Sequence, residues 1–551
     1  MTAPRTRSIA LLAAGLMALG VHPASAQGQP DVPPFQRDPT NLRGHSYRGD
    51  WQYFVGGGVA AFDCSGDRDP DLYLAGGQDF AGLYRNDSKT AGKLKFTHLK
   101  SPVTGLKSVT GAYPLDIDSD GITDLAVLRV GETVLLRGLG DCTFERANEM
   151  WGFDGGSGWT TAFAATWEGD AALPTLALGT YVDTASSDER IGNCGDNRLY
   201  RPDAAGTGYD APLLLTPGSC ALSMLFSDWG RTGSRDLRIS NDRHYAPAGE
   251  EQLWRMTLDQ APTLYTEADG WQKLVIWGMG IASRDLTGDG RPEVYLTSQA
   301  DNKLQTLVEG ATGPQYKDLA LARGVNAPKP VVGGDPFPST AWHPAFEDVN
   351  NDGLVDLYVS KGNVEKQDGY ALADPNTLLL QRADGTFMEA GEQAGIALVP
   401  NRGDDSVIRS RGAAVVDLNR DGLLDIVQMS RGPASAWRNL GSGTFKRPAP
   451  MGAFVALRVV QPAPNTDAIG AWVEVRVGDV IQVRELTVGG GHASGQLGWV
   501  QFGLGDATDA EVRVTWPDDE VGEWQPVTAN GWFNIDRAAA APVPDSPAAG
   551  G

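Results

Sequence analysis

Short runs of apolar and small residues alternate with polar clusters along most of the chain. Runs such as 57–62 and 411–416 each end at a group of acidic and amide side chains, and a second β-rich run follows. Gly-containing turns then separate further paired runs, and such turns are hairpin signals. Helical periodicity is not sustained, so the pattern predicts short antiparallel strands joined by tight turns. The clearest second pairs are 133–147, 376–390 and 435–448.

The polar clusters recur at a regular distance. Seven units can be aligned, and successive units start between 50 and 69 residues apart. A period of this size is typical of propellers, solenoids and arrays, and four short strands per unit make a propeller blade. We therefore predict an all-β fold with a seven-bladed β-propeller over 50–447. The alternative is a set of unrelated β-hairpins with polar turns, but seven copies in phase argue against it. The units begin at Asp63, Asp116, Thr166, Asp228, Asp285, Asp348 and Asp417.

Side-chain oxygens occupy positions 1, 3, 5 and 9 of five of these loops, and glycine usually occupies position 6. Alternating oxygens on a tight turn can surround one point, and glycine permits the turn. Hard oxygen donors without His or Cys suit Ca²⁺ better than zinc or copper. The loop is similar to the calcium loop of an EF-hand, but it ends with an acid at position 9 and lies between strands. The predicted Ca²⁺ ligands are Asp63, Ser65, Asp67, Asp71, Asp116, Asp118, Asp120, Asp124, Asp285, Thr287, Asp289, Glu293, Asp348, Asn350, Asp352, Asp356, Asp417, Asn419, Asp421 and Asp425.

The alternative to a metal site is an Asx-rich turn, in which Asp and Asn side chains cap their own backbone. Repetition of one spacing favours the metal, because carboxylates this close repel one another unless a cation lies between them. The loop at Asp63 has Arg68 where glycine is expected. The loop at Thr166 has Pro174 at position 9 and lacks glycine at position 6, and the loop at Asp228 has Gly230 at position 3 and Thr232 at position 5. We expect neither to bind calcium strongly.

The chain is acidic, with a formal net charge of −23, and this argues against nucleic acid or anionic lipid as a partner. A basic start, an apolar stretch and the small residues Ala24-Ser25-Ala26 predict a signal peptide, 1–26, cleaved after Ala26. Residues 27–49 are then a lead-in segment. No later apolar run approaches the length of a membrane span. The mature protein is expected to be secreted or periplasmic.

The chain contains four cysteines, and an even number in an exported protein favours two disulfides. If the metal loop joins the first and second strands of each blade, Cys64 and Cys142 lie on the same face as that loop. Cys194 and Cys220 then lie on the opposite face. The topology is consistent with the pairs Cys64–Cys142 and Cys194–Cys220.

Two parts of the chain resemble known families. The repeated loops closely resemble FG-GAP repeats, also called VCBS repeats, which are the units of the integrin α propeller. Residues 454–521 look like an ASPIC/UnbV domain, with "GGGHASG" (489–495) and "FGLG" (502–505) among its marks. The two parts together resemble the cartilage acidic protein family, of the bacterial secreted type. This resemblance implies a calcium-bound propeller, a small β domain and an extracellular role in binding or adhesion.

The C-terminal part predicts its own unit. Residues 454–536 contain five or six alternating β-rich runs with Gly turns, so we expect 448–537 to form a small β-sandwich-like domain. Residues 538–551 have low complexity and are expected to be disordered.

Three functional hypotheses remain open. The first is a binding or adhesion module for an extracellular protein or glycan; the second is a hydrolase or lyase that uses the propeller face as a substrate platform; the third is a structural coat component. HExxH, GxSxG and P-loop motifs are absent. His343, His492 and His244 are candidates for catalysis or for structural hydrogen bonds. Arg-Gly-Asp triplets at 48–50 and 402–404 are weak evidence for integrin binding.

Overall fold

A computed structural model describes six ranges of the chain: 29–38, 41–183, 190–299, 301–326, 335–397 and 409–545. The expected signal peptide and the triplet at 402–404 lie outside the described residues.

Seven antiparallel sheets follow one another along 59–439 in the described part of the chain. In each sheet the first and second strands are each buried at every position or at all but one; Val109–Leu115 and Ala221–Ser227, for example, are buried at every position. A strand covered on both faces needs apolar or small residues throughout, which is why these strands appear as continuous runs in the sequence.

The four strands of each sheet are given in order from the first strand outward. Sheet 1 contains Val59–Phe62, Asp71–Leu74, Gly82–Asn86 and Phe96–Leu99; sheet 2 contains Val109–Leu115, Asp124–Arg129, Val134–Gly138 and Phe144–Arg146; sheet 3 contains Thr160–Thr166, Thr175–Thr180, Asn197–Tyr200 and Leu213–Leu215; sheet 4 contains Ala221–Ser227, Asp236–Asn241, Gln252–Arg255 and Thr263–Leu264; sheet 5 contains Gly278–Arg284, Glu293–Ser298, Lys303–Leu307 and Tyr316–Asp318; sheet 6 contains Ala341–Glu347, Asp356–Lys361, Thr377–Gln381 and Phe387–Glu389; sheet 7 contains Ser410–Val416, Asp425–Ser430, Ser435–Asn439 and Phe35–Arg37.

The outer strand of sheet 7 comes from the N-terminal part of the chain. Phe35–Arg37 pairs antiparallel with Ser435–Asn439, with Phe35 opposite Asn439. The predicted hairpin at 435–448 is therefore wrong in its second half. The free edge of Ser435–Asn439 is taken by Phe35–Arg37, and the N–H of Leu440 donates to the Pro34 carbonyl at 3.0 Å, so 444–448 has no edge to join.

A central segment, residues 488–497, leaves the C-terminal domain and contacts the first strand of every one of the seven sheets. Its strand Gly495–Gln496 pairs in parallel with Ala60–Ala61 of sheet 1. The first strands of consecutive sheets also contact one another, and that of sheet 7 contacts that of sheet 1. The contacts of the segment are Ala61 with Gln496, Ala112 with Ser494, Ala165 with Val488, Met224 with Gly490, Ile281 with Gly491, His343 with His492 and Val415 with Gln496.

The C-terminal domain consists of two further four-stranded sheets packed around one apolar core. The five or six predicted strands are thus eight, because two short edge strands carry too few residues to show a pattern. One of them, Val543–Pro544, pairs with Phe533–Asn534, so ordered structure extends into the tail that the sequence predicts to be disordered. The first sheet contains Val500–Gly505, Ala453–Val460, Gly531–Asp536 and Val543–Pro544; the second contains Val480–Glu485, Trp472–Val477, Asp509–Thr515 and Gln525–Thr528.

Helical structure in the described ranges is limited to short turns. None of these helices has the length and apolar character that crossing a membrane requires. A two-stranded sheet joins Ser46–Tyr47 to Gly432–Pro433. The 3₁₀ turns are Asn41–Gly44, Trp51–Tyr53 and Glu267–Asp269, and the α-helix is Ala320–Arg323.

Both predicted disulfides are confirmed. Cys64 is bonded to Cys142 and Cys194 to Cys220. The first disulfide joins the loop of sheet 1 to sheet 2, and the second joins sheet 3 to the start of sheet 4, so each links consecutive sheets.

Candidate metal loops

The acidic side chain at position 9 fastens each loop to its own sheet. One carboxylate oxygen of Asp124 accepts from the N–H of Ile117, and the other accepts from the N–H of Gly138 in the third strand, both at 2.7 Å. Asp356 and Asp425 accept the corresponding two hydrogen bonds in their loops. The carboxylate thus satisfies backbone donors at both ends of a tight turn.

The carboxylate at position 1 closes the turn from the other side. Asp348 accepts from the N–H of Gly353, and Asp417 from that of Gly422, both at 2.8 Å. These glycines have φ of 87° and 80°, a left-handed conformation that glycine adopts without strain. Arg68 takes the same conformation, with φ of 69°, and its N–H donates to Asp63 at 2.8 Å. The loop at Asp63 therefore makes the same turn despite lacking glycine.

Side chains at positions 3 and 5 bring further oxygens to the same place. Carboxylate oxygens of Asp116, Asp118 and Asp120 lie within 4.8 Å of one another. In two loops an acceptor oxygen is buried without a donor: Oδ1 of Asp118 and Oδ1 of Asn419. Buried polar atoms are almost always paired, so an acceptor without a protein donor among carboxylates fits a cation site. This all-oxygen donor set fits Ca²⁺.

The electrostatics of the loops point the same way. Burial, together with the smaller effect of neighbouring carboxylates, raises the pKa of Asp124 to about 8, of Asp348 to about 8 and of Asp71 to about 7. Burial and the nearby acids likewise raise the pKa of Glu293 to about 7. A buried carboxylate must either take a proton or meet a cation. Metal binding is the second of these outcomes.

The two degenerate loops contain protein donors instead. Both carboxylate oxygens of Glu168 accept from the Arg201 guanidinium, at 2.9 and 2.8 Å. In the loop at Asp228, the second oxygen of Asp236 accepts from Trp229 Nε1 and from the Tyr265 hydroxyl, both at 2.8 Å. These donors occupy oxygens that a cation would use.

A recurring arginine beside the loops was missed by the sequence analysis. Arg137 in the third strand of sheet 2 donates to Asp118 and Asp120, each at 2.5 Å. Arg438 donates to Asp421 from the same strand position in sheet 7, at 3.4 Å. The signal was present as a basic residue near the end of the third strand in five of seven units. These residues are Arg85, Arg137, Arg201, Arg255 and Arg438.

The loops also connect neighbouring sheets. The Asn86 side-chain amide in sheet 1 donates to the Leu418 carbonyl in the loop of sheet 7, at 2.7 Å. The Asn439 amide in sheet 7 donates to the Val349 carbonyl in the loop of sheet 6, at 2.8 Å. The shape of each loop thus decides how the next sheet is held.

The C-terminal domain lies across the loop end of the sheets. Gln501 donates to Asn351 Oδ1 at 2.9 Å and to the Gly422 carbonyl at 3.1 Å, so it touches two candidate loops at once. Arg484 forms a bidentate ion pair with Glu347, the residue directly before Asp348 at position 1 of its loop. The loops therefore form the surface on which this domain packs. Further contacts join Thr466 to Asp116, Trp499 to the Arg68 carbonyl, and Glu485 to the N–H of Asp228.

The two histidines closest to a possible catalytic role lie together in the interior. The N–H of His492 donates to Nδ1 of His343 at 3.0 Å, and the His492 ring contacts the Val55 carbonyl at 2.7 Å. Both side chains are buried. His244 is exposed and stacks edge-on with Tyr245. The ring of Trp342 packs on that of His492.

Comparison with known proteins places these features in context. The FG-GAP-like repeat model matches residues 348–427, and the ASPIC and UnbV model matches residues 461–542. The predicted resemblance to both is confirmed. Among characterised proteins, the chain is similar to human cartilage acidic protein 1, with 28% identity over 188 residues, covering 32% of this chain and 26% of the human protein. The mouse protein of the same name is 28% identical over 193 residues, covering 32% of this chain and 27% of the mouse protein. The match spans about a quarter of these relatives.

Solved structures resemble the chain more distantly. An Agrocybe aegerita lectin that recognises non-reducing terminal N-acetylglucosamine has 17% identity and a TM-score of 0.38, covering 67% of this chain and 88% of that chain. BBS1N, in a complex with ARL6DN, has 9% identity and a TM-score of 0.38, covering 74% of this chain and 96% of that chain. Scores this low carry no argument about arrangement or function.

Proposed function

We propose that the protein is an exported, calcium-stabilised binding or adhesion module. Its seven sheets form a closed seven-bladed β-propeller, and five loops hold Ca²⁺ through the oxygens at positions 1, 3, 5 and 9. The observation that carries the proposal is the repeated gathering of buried carboxylates in these loops, with orphaned acceptors at Asp118 and Asn419. Calcium would neutralise the negative charge of the loops and fix the surface on which the C-terminal domain packs.

Three contacts support ring closure. The first strands of sheets 7 and 1 touch, the central segment reaches all seven first strands, and Phe35–Arg37 completes sheet 7 with a strand from the other end of the chain. Supplying one blade from both ends of the chain is an effective way to join the first and last blades of a ring.

A binding role is favoured over catalysis. The FG-GAP-like and ASPIC/UnbV matches and the similarity to cartilage acidic protein 1 favour an extracellular interaction module. Two disulfides favour an oxidising compartment. His343, which the hydrolase hypothesis would use, is buried against the central segment.

Scanning calorimetry of the full chain tests the calcium part of this proposal. A ligand that binds only the native state stabilises it by mass action, so a chelator should lower the Tm and added Ca²⁺ should restore it. An unchanged Tm in chelator, with no metal found in the protein, would exclude calcium. Screening for ligands and turnover on glycans and proteins tests the binding part; turnover lost in His343→Ala would favour the hydrolase instead.

A further inference from the structure

The end of the sheets opposite the candidate metal loops carries a cluster of arginines. Because the loops join first to second strands, residues just before a first strand or just after a second strand lie at this opposite end. Arg409 precedes the first strand of sheet 7, and Arg431 follows its second strand. We call the region the arginine face. It contains Arg190, Arg243, Arg409, Arg411 and Arg431 with Trp51, Phe54 and Trp277.

Three of these arginines, Arg409, Arg411 and Arg431, lie next to one another. Arg409 and Arg431 each donate from Nη1 to the Val364 carbonyl at 3.2 Å, so their guanidinium groups flank one oxygen. Arg411 is fully buried beneath them and donates to backbone carbonyls, including that of Phe54 at 2.8 Å. Among the described residues, none of the three forms an ion pair with a carboxylate.

Aromatic rings stack against three guanidinium groups of the arginine face. The Arg190 guanidinium carbon lies 3.8 Å from the Trp51 ring centroid, that of Arg243 lies 4.0 Å from Trp277, and that of Arg431 lies 4.1 Å from Phe54. A guanidinium stacked on a ring can still donate from its edge, and this edge matches the paired oxygens of a carboxylate or sulfate. In Arg431, Nη1 and Nη2 each donate one hydrogen bond, to the Val364 and Gly49 carbonyls, and each of these nitrogens carries a second N–H. Trp51 is itself fixed by a 2.8 Å hydrogen bond from Nε1 to the Tyr245 hydroxyl.

The charges of the arginine face are unbalanced. Burial holds the pKa of Arg411 well below its usual range, and the nearby positive charges of Arg431 and Arg409 lower it as well. Asp50 and Glu365 act on Arg431 from nearby but do not pair with it. The like charges repel one another, and a bound anion would relieve the repulsion. The acidic charge of the whole chain is screened beyond about 8 Å at physiological ionic strength, so it does not prevent local anion binding.

We propose that the arginine face binds the carboxylate or sulfate groups of an acidic saccharide. This inference rests on the proposed function as an extracellular binding module and names its binding face. The C-terminal domain covers the loop end, whereas this end carries aromatic rings with stacked guanidinium groups, of which that of Arg190 is exposed and those of Arg243 and Arg431 are half-buried. A broad face of this kind suits a saccharide chain, whereas protein partners usually insert anchor side chains into pockets.

The test uses the full chain in saturating Ca²⁺ and measures binding to four probes by calorimetry. The probes are an oligogalacturonate, which carries carboxylates, dextran sulfate, which carries sulfates, neutral dextran and poly-glutamate. The variant is Arg409→Gln/Arg431→Gln, and the control is Arg146→Gln/Arg447→Gln, which removes the same charge from exposed positions elsewhere. Arg411 is left intact because its donors hold the backbone.

One or both acidic saccharides should bind, neutral dextran should not, and the variant should weaken binding by about tenfold or more while the control keeps it. Which of the two acidic probes binds separates carboxylate from sulfate recognition. Equal weakening in variant and control, binding of poly-glutamate as tight as that of the saccharides, or no binding of either acidic saccharide would overturn the inference. The Tm shift on adding Ca²⁺, measured in the same samples, reports separately on the proposed function and shows that the variant is folded.

Discussion

At the scale of single residues, loop conformation and metal binding have separate causes. The loop at Asp228 keeps the turn, because Asp228 accepts from the N–H of Gly233 and Asp236 accepts from that of Met256. It has Gly230 at position 3 and Thr232 in place of an acid at position 5, and the second oxygen of Asp236 accepts from Trp229 and Tyr265. The Asp side chains of this turn therefore stabilise the backbone conformation whether or not a metal binds. Only the complete set of oxygens makes the turn a candidate metal site.

Asp425→Asn and Asp236→Asn form a matched pair for this distinction. Asp425→Asn should remove one bound Ca²⁺ per chain and lower the free energy of unfolding by about 2.7 kcal/mol when Ca²⁺ is about a hundredfold above Kd. Asp236→Asn should leave the calcium count unchanged, because the loop at Asp228 has Gly230 at position 3 and is not expected to bind calcium. Metal analysis of both variants checks this. Equal calcium counts in the wild type and in Asp425→Asn would show that the loop at Asp417 holds no metal.

At the scale of elements, two segments join parts of the described chain that are far apart in sequence. Phe35–Arg37 completes sheet 7, and the central segment 488–497 joins all seven first strands. Each depends on partners far away in the chain: Phe35 lies opposite Asn439, and Ser494 Oγ accepts from the N–H of Val59 at 3.0 Å. Contacts of this range order late in folding, since a long loop must close first.

Phe35→Ala tests how much the strand Phe35–Arg37 contributes to stability. The Phe35 side chain is buried in the apolar core of sheets 6 and 7, so its loss should lower the free energy of unfolding by about 3–5 kcal/mol. Gln36→Ala, at an exposed position on the same strand, should have little effect. Chemical denaturation of both variants provides the measurement, and similar small losses in both would mean that the strand does not hold sheet 7 closed.

His492 gives the central segment a pH dependence. Burial lowers the pKa of His492 to about 3, so the native state keeps it neutral while the unfolded chain takes up a proton as the pH falls below its ordinary value. Its contribution to stability is complete above about pH 6.5 and decreases as the pH falls toward the folded pKa, by about 2 kcal/mol at pH 5. In urea denaturation, the stability difference between the wild type and His492→Gln should shrink by that amount between pH 7 and pH 5.

Phe35→Ala, which removes no titratable group, supplies the control for this experiment. Its stability difference from the wild type should not change over the same pH range. A pH-independent difference for His492→Gln as well would contradict the buried, neutral state of His492.

Local patterns predicted much of this fold, and long-range pairings set the limit. The loop spacing predicted seven units, and the topology of a blade predicted the pairs Cys64–Cys142 and Cys194–Cys220. The pairing of Phe35–Arg37 could not be predicted, since three residues carry no information about a partner 400 residues away. The central segment was recognised as a motif, but its Gly and Ala residues gave no sign of their neighbours.

At the scale of the whole molecule, the two ends of the seven sheets have different tasks. The loop end carries the candidate calcium sites and is covered by the C-terminal domain, through residues such as Gln501 and Trp499. The opposite end carries the arginine face. Calcium is therefore expected to act on ligand binding indirectly, by holding the sheets and the C-terminal domain in one arrangement.

Native mass spectrometry of the full chain tests this account most directly, because it counts bound metal ions on the folded protein. We expect five Ca²⁺ per chain, lost on chelation together with a drop in Tm, and no ions in the loops at Thr166 and Asp228. A folded chain that carries no Ca²⁺ and has the same Tm in chelator would contradict the account.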